Sequence, residues 1–273
     1  MSGEVQFPSF RGALPRNAIR NAHEGSSKGM EKSEKEKERI QSLLNLIPGR
    51  APSVLDIGAR DGYISAKLTD FFDSVTALDL EKPAIAHDNV ICVQGDATSL
   101  HFPDGSFHTV FCSEVLEHIP PYLLQKACDE IRRVAQEHII IGVPYRQDLR
   151  VGRTTCYTCG KKNPPWGHVT VFDEKKILSL FSGISCERIR FHGENTEYTN
   201  FLSALLMDLA GNPYGDYCQL EPCIYCGNRL KPPPERNLPQ KVCTRLAVSI
   251  TRMQSCFIRR RPIWMNILFR KGI

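Results

Sequence analysis

Short apolar runs alternate with helically spaced segments through the middle of this chain. S-V-L-D-I at 53–57, V-T-A-L-D at 75–79, V-I-C-V at 90–93, Phe107 to Cys112 and H-I-I-I-G-V at 138–143 are each short and apolar enough to be buried strands. Between them, Ile64, Leu68 and Phe71 recur at helical spacing, predicting a helix from Tyr63 to Phe72. Leu123, Leu124, Ala127, Ile131 and Val134 make a second helical stripe. Ahead of the first strand, residues 30–46 form a charged helix that gains an apolar face at Ile40, Leu43, Leu44 and Ile47, stopped by Pro48 and Gly49. Further on, Asp173 caps a helix through Phe181, and Cys186 to Phe191 is a sixth strand. Phe201 to Leu209 is helical, and Val242, Leu246, Ile250 and Met253 mark another amphipathic helix. Ile263 to Phe269 closes the chain as a strand.

Strands alternating with helices predict an α/β fold with a parallel sheet covered on both faces. Residues 1–28 have no clear period and read as a flexible arm. Residues 29–192 hold the main domain, 193–236 an insertion rich in Asn, Gly, Pro and Cys, and 237–273 a helix and closing strand of that same domain.

Composition changes this picture little. The 273 residues are 41% hydrophobic, enough for a sizeable core, and the net charge of +5 permits an anionic partner without requiring one. The first twenty residues lack an apolar signal core, and no apolar run approaches the ~20 residues that span a bilayer. A cytoplasmic protein with no membrane partner is therefore expected. Eleven cysteines are then better read as thiols and metal ligands than as disulfides.

In such sheets ligands sit beyond the carboxyl ends of the strands. D-I-G-A-R-D-G at 56–62 follows the first strand; its glycines admit a ligand close to the backbone. Asp79 ends the second strand, where a carboxylate can accept both hydroxyls of a ribose. The loop lacks G-x-G-x-x-G, the dinucleotide fingerprint. Asp96 follows the third strand, where it can take the amino group of an adenine. Three acids at three successive strand ends point to a nucleoside cofactor other than NAD.

These stretches resemble the class I methyltransferases that use S-adenosylmethionine. V-L-D-I-G-A-R-D-G-Y at 54–63 looks like their first motif and A-L-D-L at 77–80 like their second. Residues 95–119, G-D-A-T-S-L-H-F-P-D-G-S-F-H-T-V-F-C-S-E-V-L-E-H-I, are similar to the branch containing ubiquinone- and menaquinone-type methyltransferases. The resemblance covers about residues 40–190 together with the final strand. It implies a Rossmann-like, doubly wound, mostly parallel seven-stranded sheet with an antiparallel last strand. It also implies that Asp56, Gly58 and Gly62 shape the methionine pocket, that Asp79 with Leu80 holds the ribose, and that Asp96 and Ala97 hold the adenine. Ser113 and Glu114 would face the methyl group. Glu114, Glu117 and His118 fall near the mouth, with His118 the best base candidate and Glu114 beside it as a second catalytic candidate. His168 and His192 read as structural.

Asn163-Pro164-Pro165-Trp166 imitates the N-P-P-[YFW] motif of amino-methyltransferases, but it follows the fifth strand instead of the fourth and reads as a proline-rich turn. C-Y-T-C-G at 156–160 and C-I-Y-C-G at 223–227 share one form. Nothing helical starts at Cys159, which argues against a thioredoxin-like pair. Cys156, Cys159, Cys223 and Cys226 instead predict a closed tetrahedral zinc site, structural in role, tying two loops into a lid over the acceptor pocket. Cys218 and His168 are spare ligands. The resulting expectation is a methyltransferase acting on a small molecule. The rivals are an RNA-modifying enzyme using Lys241, Arg245, Arg252 and Arg259–Arg261, and a scaffold that binds the cofactor without turnover.

Overall fold

The computed structural model describes residues 34–196, 198–212, 222–231 and 234–272. The expected arm at 1–28 and the spare ligand Cys218 lie outside them. Seven strands make one sheet: β1 (Ala51–Ile57), β2 (Phe72–Asp79), β3 (Val90–Gln94), β4 (Phe107–Ser113), β5 (Ala135–Pro144), β8 (Ser185–His192) and β9 (Trp264–Arg270). Their order is β3-β2-β1-β4-β5-β9-β8. Only β9 runs antiparallel to its neighbours, so β8 points the same way as the first five strands.

The central strands are apolar without alternation because both faces are covered. On one face α1 (Glu34–Leu44) and α2 (Tyr63–Leu68) pack Ile40, Leu43 and Leu68 against Val54, Phe111 and Ile140. On the other, α3 (Pro121–Val134) and α4 (Glu174–Leu180) pack Leu124, Ile131 and Ile177 against Leu55, Ile139 and Ile267. The Asp173 side chain accepts from the Lys176 N–H at 2.9 Å and starts α4 as expected.

The helix expected over 63–72 ends at Leu68, because Phe72 opens β2, where it is buried and pairs with Ala51. A small antiparallel hairpin, β6 (Thr154–Thr155) with β7 (Lys162–Asn163), was not foreseen; two-residue strands carry no period to read. The remaining helices, α5 (Phe201–Leu209) and α6 (Leu238–Ser255), pack on one another. Among the described residues, no helix is long and apolar enough to cross a membrane.

Candidate active site and cysteine cluster

Strand register assembles the first part of the site. Ile57 pairs with Leu78 on one side and with Cys112 on the other, so Gly58, Asp79 and Ser113 come level at the carboxyl edge. The strand order reverses there, between β1 and β4, opening a crevice. Gly58 and Gly62 hold φ of 83° and 76°, the left-handed region. A Cβ on Gly58 would lie 2.3 Å from Val115, and one on Gly62 2.4 Å from Ile85, so neither position has room for a side chain. Asp79 accepts the Arg60 N–H at 2.9 Å through Oδ2 and the Leu80 N–H at 2.7 Å through Oδ1. Each oxygen can still accept a second donor, such as a ribose hydroxyl. Leu80 is exposed beside it.

Asp96 follows β3 and takes both the N–H and the hydroxyl of Thr98 at 2.8 Å, with Ala97 buried next to it. Asp56 is buried and accepts from Ser65 at 2.6 Å. Burial pushes its carboxyl up to about 7, against the pull of the Ser65 bond and with a further push from Asp79.

Beyond β4 the side chains are more tightly engaged than the sequence suggests. Arg39 of α1 is buried and donates to Ser113 Oγ at 3.0 Å. Its guanidinium lies 3.7 Å from Glu114 and 5.7 Å from the centre of the Trp264 ring. Glu114 sits at φ 57° with its N–H on the Gly142 carbonyl at 2.9 Å. Burial raises its pKa above the usual carboxylate value, and Arg39 offsets only part of that rise. Glu114 is thus half-buried within ion-pair distance of a buried guanidinium.

Glu117 is fully buried, and neither carboxylate oxygen has a hydrogen-bond partner among the described residues. Burial, and then the charge of Glu114, push its pKa well above the usual carboxylate range. The ring of His118 meets that of His168 edge to face at 4.7 Å. His168 is buried, and its Nδ1 lies 2.7 Å from Gln147 Oε1. Burial, helped by His118, lowers its pKa to about 3, so the ring is neutral and the Gln147 oxygen accepts from Nδ1–H. That leaves Nε2 with its lone pair for another ligand. The ligand atoms of Glu117, His118 and His168 lie within 4.8 Å of one another. One carboxylate and two imidazoles are a donor set that can hold a divalent cation. His192 lies elsewhere, stacked at 6.0 Å on Trp264.

The sequence pointed to Glu114, Glu117 and His118 but missed Arg39, Gln147 and the position of His168. A lone charge inside a helix and a histidine fifty residues downstream carry no local signal of where they pack.

The cysteine pairs form two matching turns. Gly160 N–H donates to the Cys156 carbonyl at 2.8 Å, and Gly227 N–H to that of Cys223 at 2.9 Å, with φ of 71° and 70°. Cys156 N–H bonds to Lys161 O and Cys223 N–H to Asn228 O, at 2.9 and 2.8 Å. The turns face each other. Cys156 Sγ is 3.8 Å from Cys226 Sγ and Cys159 Sγ 3.7 Å from Cys223 Sγ, with all four sulfurs within 4.8 Å. Four Zn–S bonds of about 2.3 Å arranged tetrahedrally place sulfurs about 3.8 Å apart, so the thiols fit that ion. The Asn228 side chain and N–H hold the Cys226 thiol down to about 6. Asn163, fully buried, donates to Cys223 Sγ at 3.4 Å and accepts from Ile224 N–H at 2.9 Å. It clamps the two turns together, and the chain reaches His168 five residues later. His168 itself is not among the four-thiol group.

A seven-stranded sheet of this order, with its loops and acids at one edge, is the class I methyltransferase fold. Residues 55–140 match the family described as "Methyltransferase domain". A ubiquinone biosynthesis O-methyltransferase from Albidiferax ferrireducens is 26% identical over 102 residues, which are 33% of this chain and 40% of that protein. The match thus spans less than half of the curated relative. Among solved structures, an N-methyltransferase, NodS, from Bradyrhizobium japonicum superposes with a TM-score of 0.51 at 15% identity, over 89% of this chain and 100% of the other. The [4+2]-cyclase SpnF gives 0.53 at 14% identity, over 90% and 85%. A chain from the complex of the Haloferax volcanii Trm112 methyltransferase activator with its partner gives 0.54 at 14%, over 96% and 100%. One sheet thus serves N-methylation, cyclisation and activator-bound proteins, and the reaction must be read from the site.

Proposed function

We propose that this chain transfers a methyl group from S-adenosylmethionine to a hydroxyl of a small-molecule acceptor. The observation that carries the hydroxyl is the cluster of buried Glu117 and His168 with exposed His118, beginning one turn beyond Ser113. Methyl transfer to a neutral amine needs no such group, whereas a hydroxyl must lose its proton to become a good nucleophile. Glu117, His118 and His168 would hold a divalent cation, which lowers the pKa of a bound hydroxyl. Where the cation is absent, the exposed His118 imidazole would take the proton instead. The cofactor's own contribution is an electrophilic methyl on a sulfonium. Asp79 would accept the ribose hydroxyls, Asp96 and Ala97 would face the adenine, and the Asp56–Gly62 loop would receive the methionine end. Arg39 holds Ser113 and lies beside Glu114, the two residues that would face the methyl group. The remaining barrier is lowered by alignment. The four cysteines would hold a structural zinc with no open coordination position, fixing the segment that delivers His168.

Calorimetric titration with S-adenosylhomocysteine, with NAD as control, tests the cofactor. Binding that Asp79→Ala abolishes supports the reading; no binding by folded, zinc-loaded protein overturns it. Transfer of labelled methyl to a panel of catechols and hydroxyquinols, with and without added Mg2+ or Mn2+, tests the acceptor class. Turnover of amines alone, indifferent to chelator, would replace the hydroxyl by a nitrogen.

A further inference from the structure

The helix pair α5–α6 is built inside out. Its members meet through small or polar groups: Ser203 and Ala204 are buried on α5, Ala247 is the one fully buried residue of α6, and Asn200 donates to Gln254 at 2.6 Å. Leu206, Met207, Val248 and Ile250 are half-buried, but the other large apolar residues face away. Phe201 is 80% exposed and Leu209 60% on α5; Leu246 is 50% exposed and Met253 63% on α6, and Phe257 just beyond reaches 86%. A helix of a globular domain normally turns this stripe inward.

A second stripe runs beside it. Lys241, Arg245 and Arg252 each precede an exposed apolar residue, Val242, Leu246 and Met253, by one position. At about 100° per residue the cations therefore line one flank of the apolar stripe. None of the three makes an ion pair among the described residues, and no Asp or Glu occurs after Glu235.

We propose that the α5–α6 face lies on an anionic lipid surface. An apolar stripe edged by cations places hydrocarbon against acyl chains and charge against headgroups at one depth. Nucleic acid would answer the cations and leave Phe201, Met253 and Phe257 in water. A second copy packing α6 on α6 antiparallel about a two-fold axis would set the two basic flanks near one another. The lack of an apolar run long enough to span a bilayer does not bear on this, since a helix lying in the interface needs only a stripe. The helices join the sheet at the end of β8 and the start of β9, the edge where the candidate site opens. The proposal does not depend on methyl transfer.

Co-flotation of the full-length chain with vesicles provides the test, using phosphatidylcholine alone and phosphatidylcholine mixed with phosphatidylglycerol. Flotation with the anionic vesicles only, weakened by salt, is expected. Lys241→Gln, Arg245→Gln and Arg252→Gln should each weaken it about fivefold. Leu246→Ser with Met253→Ser should weaken it independently, without a change in thermal stability. No flotation, or flotation indifferent to both sets, overturns the proposal. So does preferential binding of a short RNA that only the Gln variants reduce. So does a dimer, seen by sedimentation, that the Ser variants dissociate.

Discussion

Helices α3 and α6 carry the same kind of sequence and do opposite things with it. In α3 the stripe Leu124, Ala127, Cys128, Ile131 and Val134 is wholly buried against the sheet. In α6, Val242, Leu246 and Met253 of the stripe point to solvent, Ile250 is half-buried, and only Ala247 is buried. Periodicity of 3.6 establishes that a helix has an apolar side. It does not say what that side meets. The sheet has a deep core on both faces, whereas among the described residues the region around the cysteine turns has only Cys156, Cys223 and Leu230 with Cys159 beside them. The first region is held by apolar burial. The second has little to bury and must be held otherwise.

The largest effect that would sharpen this contrast is metal removal. Structural zinc contributes about 10–16 kcal/mol to folding of small metal-bound units. Asp208 of α5 ties the hairpin to the helix pair through Arg153 and through Lys162 at 2.6 Å. Cys223→Ser, or exhaustive chelation, should therefore release residues 150–170 and 222–231 together. Limited proteolysis should cut there while the sheet keeps its circular dichroism. Elemental analysis should find about one zinc per chain before treatment, from the Cys₄ stoichiometry. A protein without zinc that resists protease at those segments would break the contrast.

Ile131→Ala follows. The side chain is fully buried between α3 and the sheet, so truncation should cost about 2–5 kcal/mol in denaturant unfolding. A smaller cost would mean that α3 packs as loosely as α6.

These differences also explain what was legible. Strands β1 to β5 and the acids at their ends were readable because each depends on a few adjacent residues: an apolar run, a glycine turn, a terminal carboxylate. Cys156–Gly160 and Cys223–Gly227 were readable as a pair because the same turn chemistry recurs. Arg39 against Ser113 was not, since 74 residues separate them and a buried arginine in a charged helix looks like its solvated neighbours. Nor was the meeting of Glu117 with His168, which depends on where the hairpin sends the chain. The outward turn of α6 was hidden for the reason already given.

A smaller effect comes from the polar group that the sheet core does accept. Asp56 has a pKa of about 7 in the fold against 3.8 in an unfolded chain. Between those values the folded state binds more protons, so this group makes stability fall as pH rises from about 4 to about 7. Asp56→Asn should remove that part of the slope. The difference between variant and parent melting temperatures, measured without cofactor, should grow in the variant's favour across this window and level off above it. A flat difference would mean that Asp56 is better solvated than its burial implies.

The smallest expected effect is the most discriminating. Leu246→Ser would be a severe change at any core position of α3. On α6 the leucine is half exposed, and its replacement should shift stability by no more than about 0.5 kcal/mol. Serine costs some helix propensity, which works against stability, while removing apolar surface from water works the other way. A cost of about 2 kcal/mol or more would mean that the stripe is covered in the intact chain, and α6 would then resemble α3 after all. A near-zero cost, with vesicle flotation weakened by the same substitution, would separate the two helices by purpose: one stripe holds the sheet together and the other faces a lipid surface.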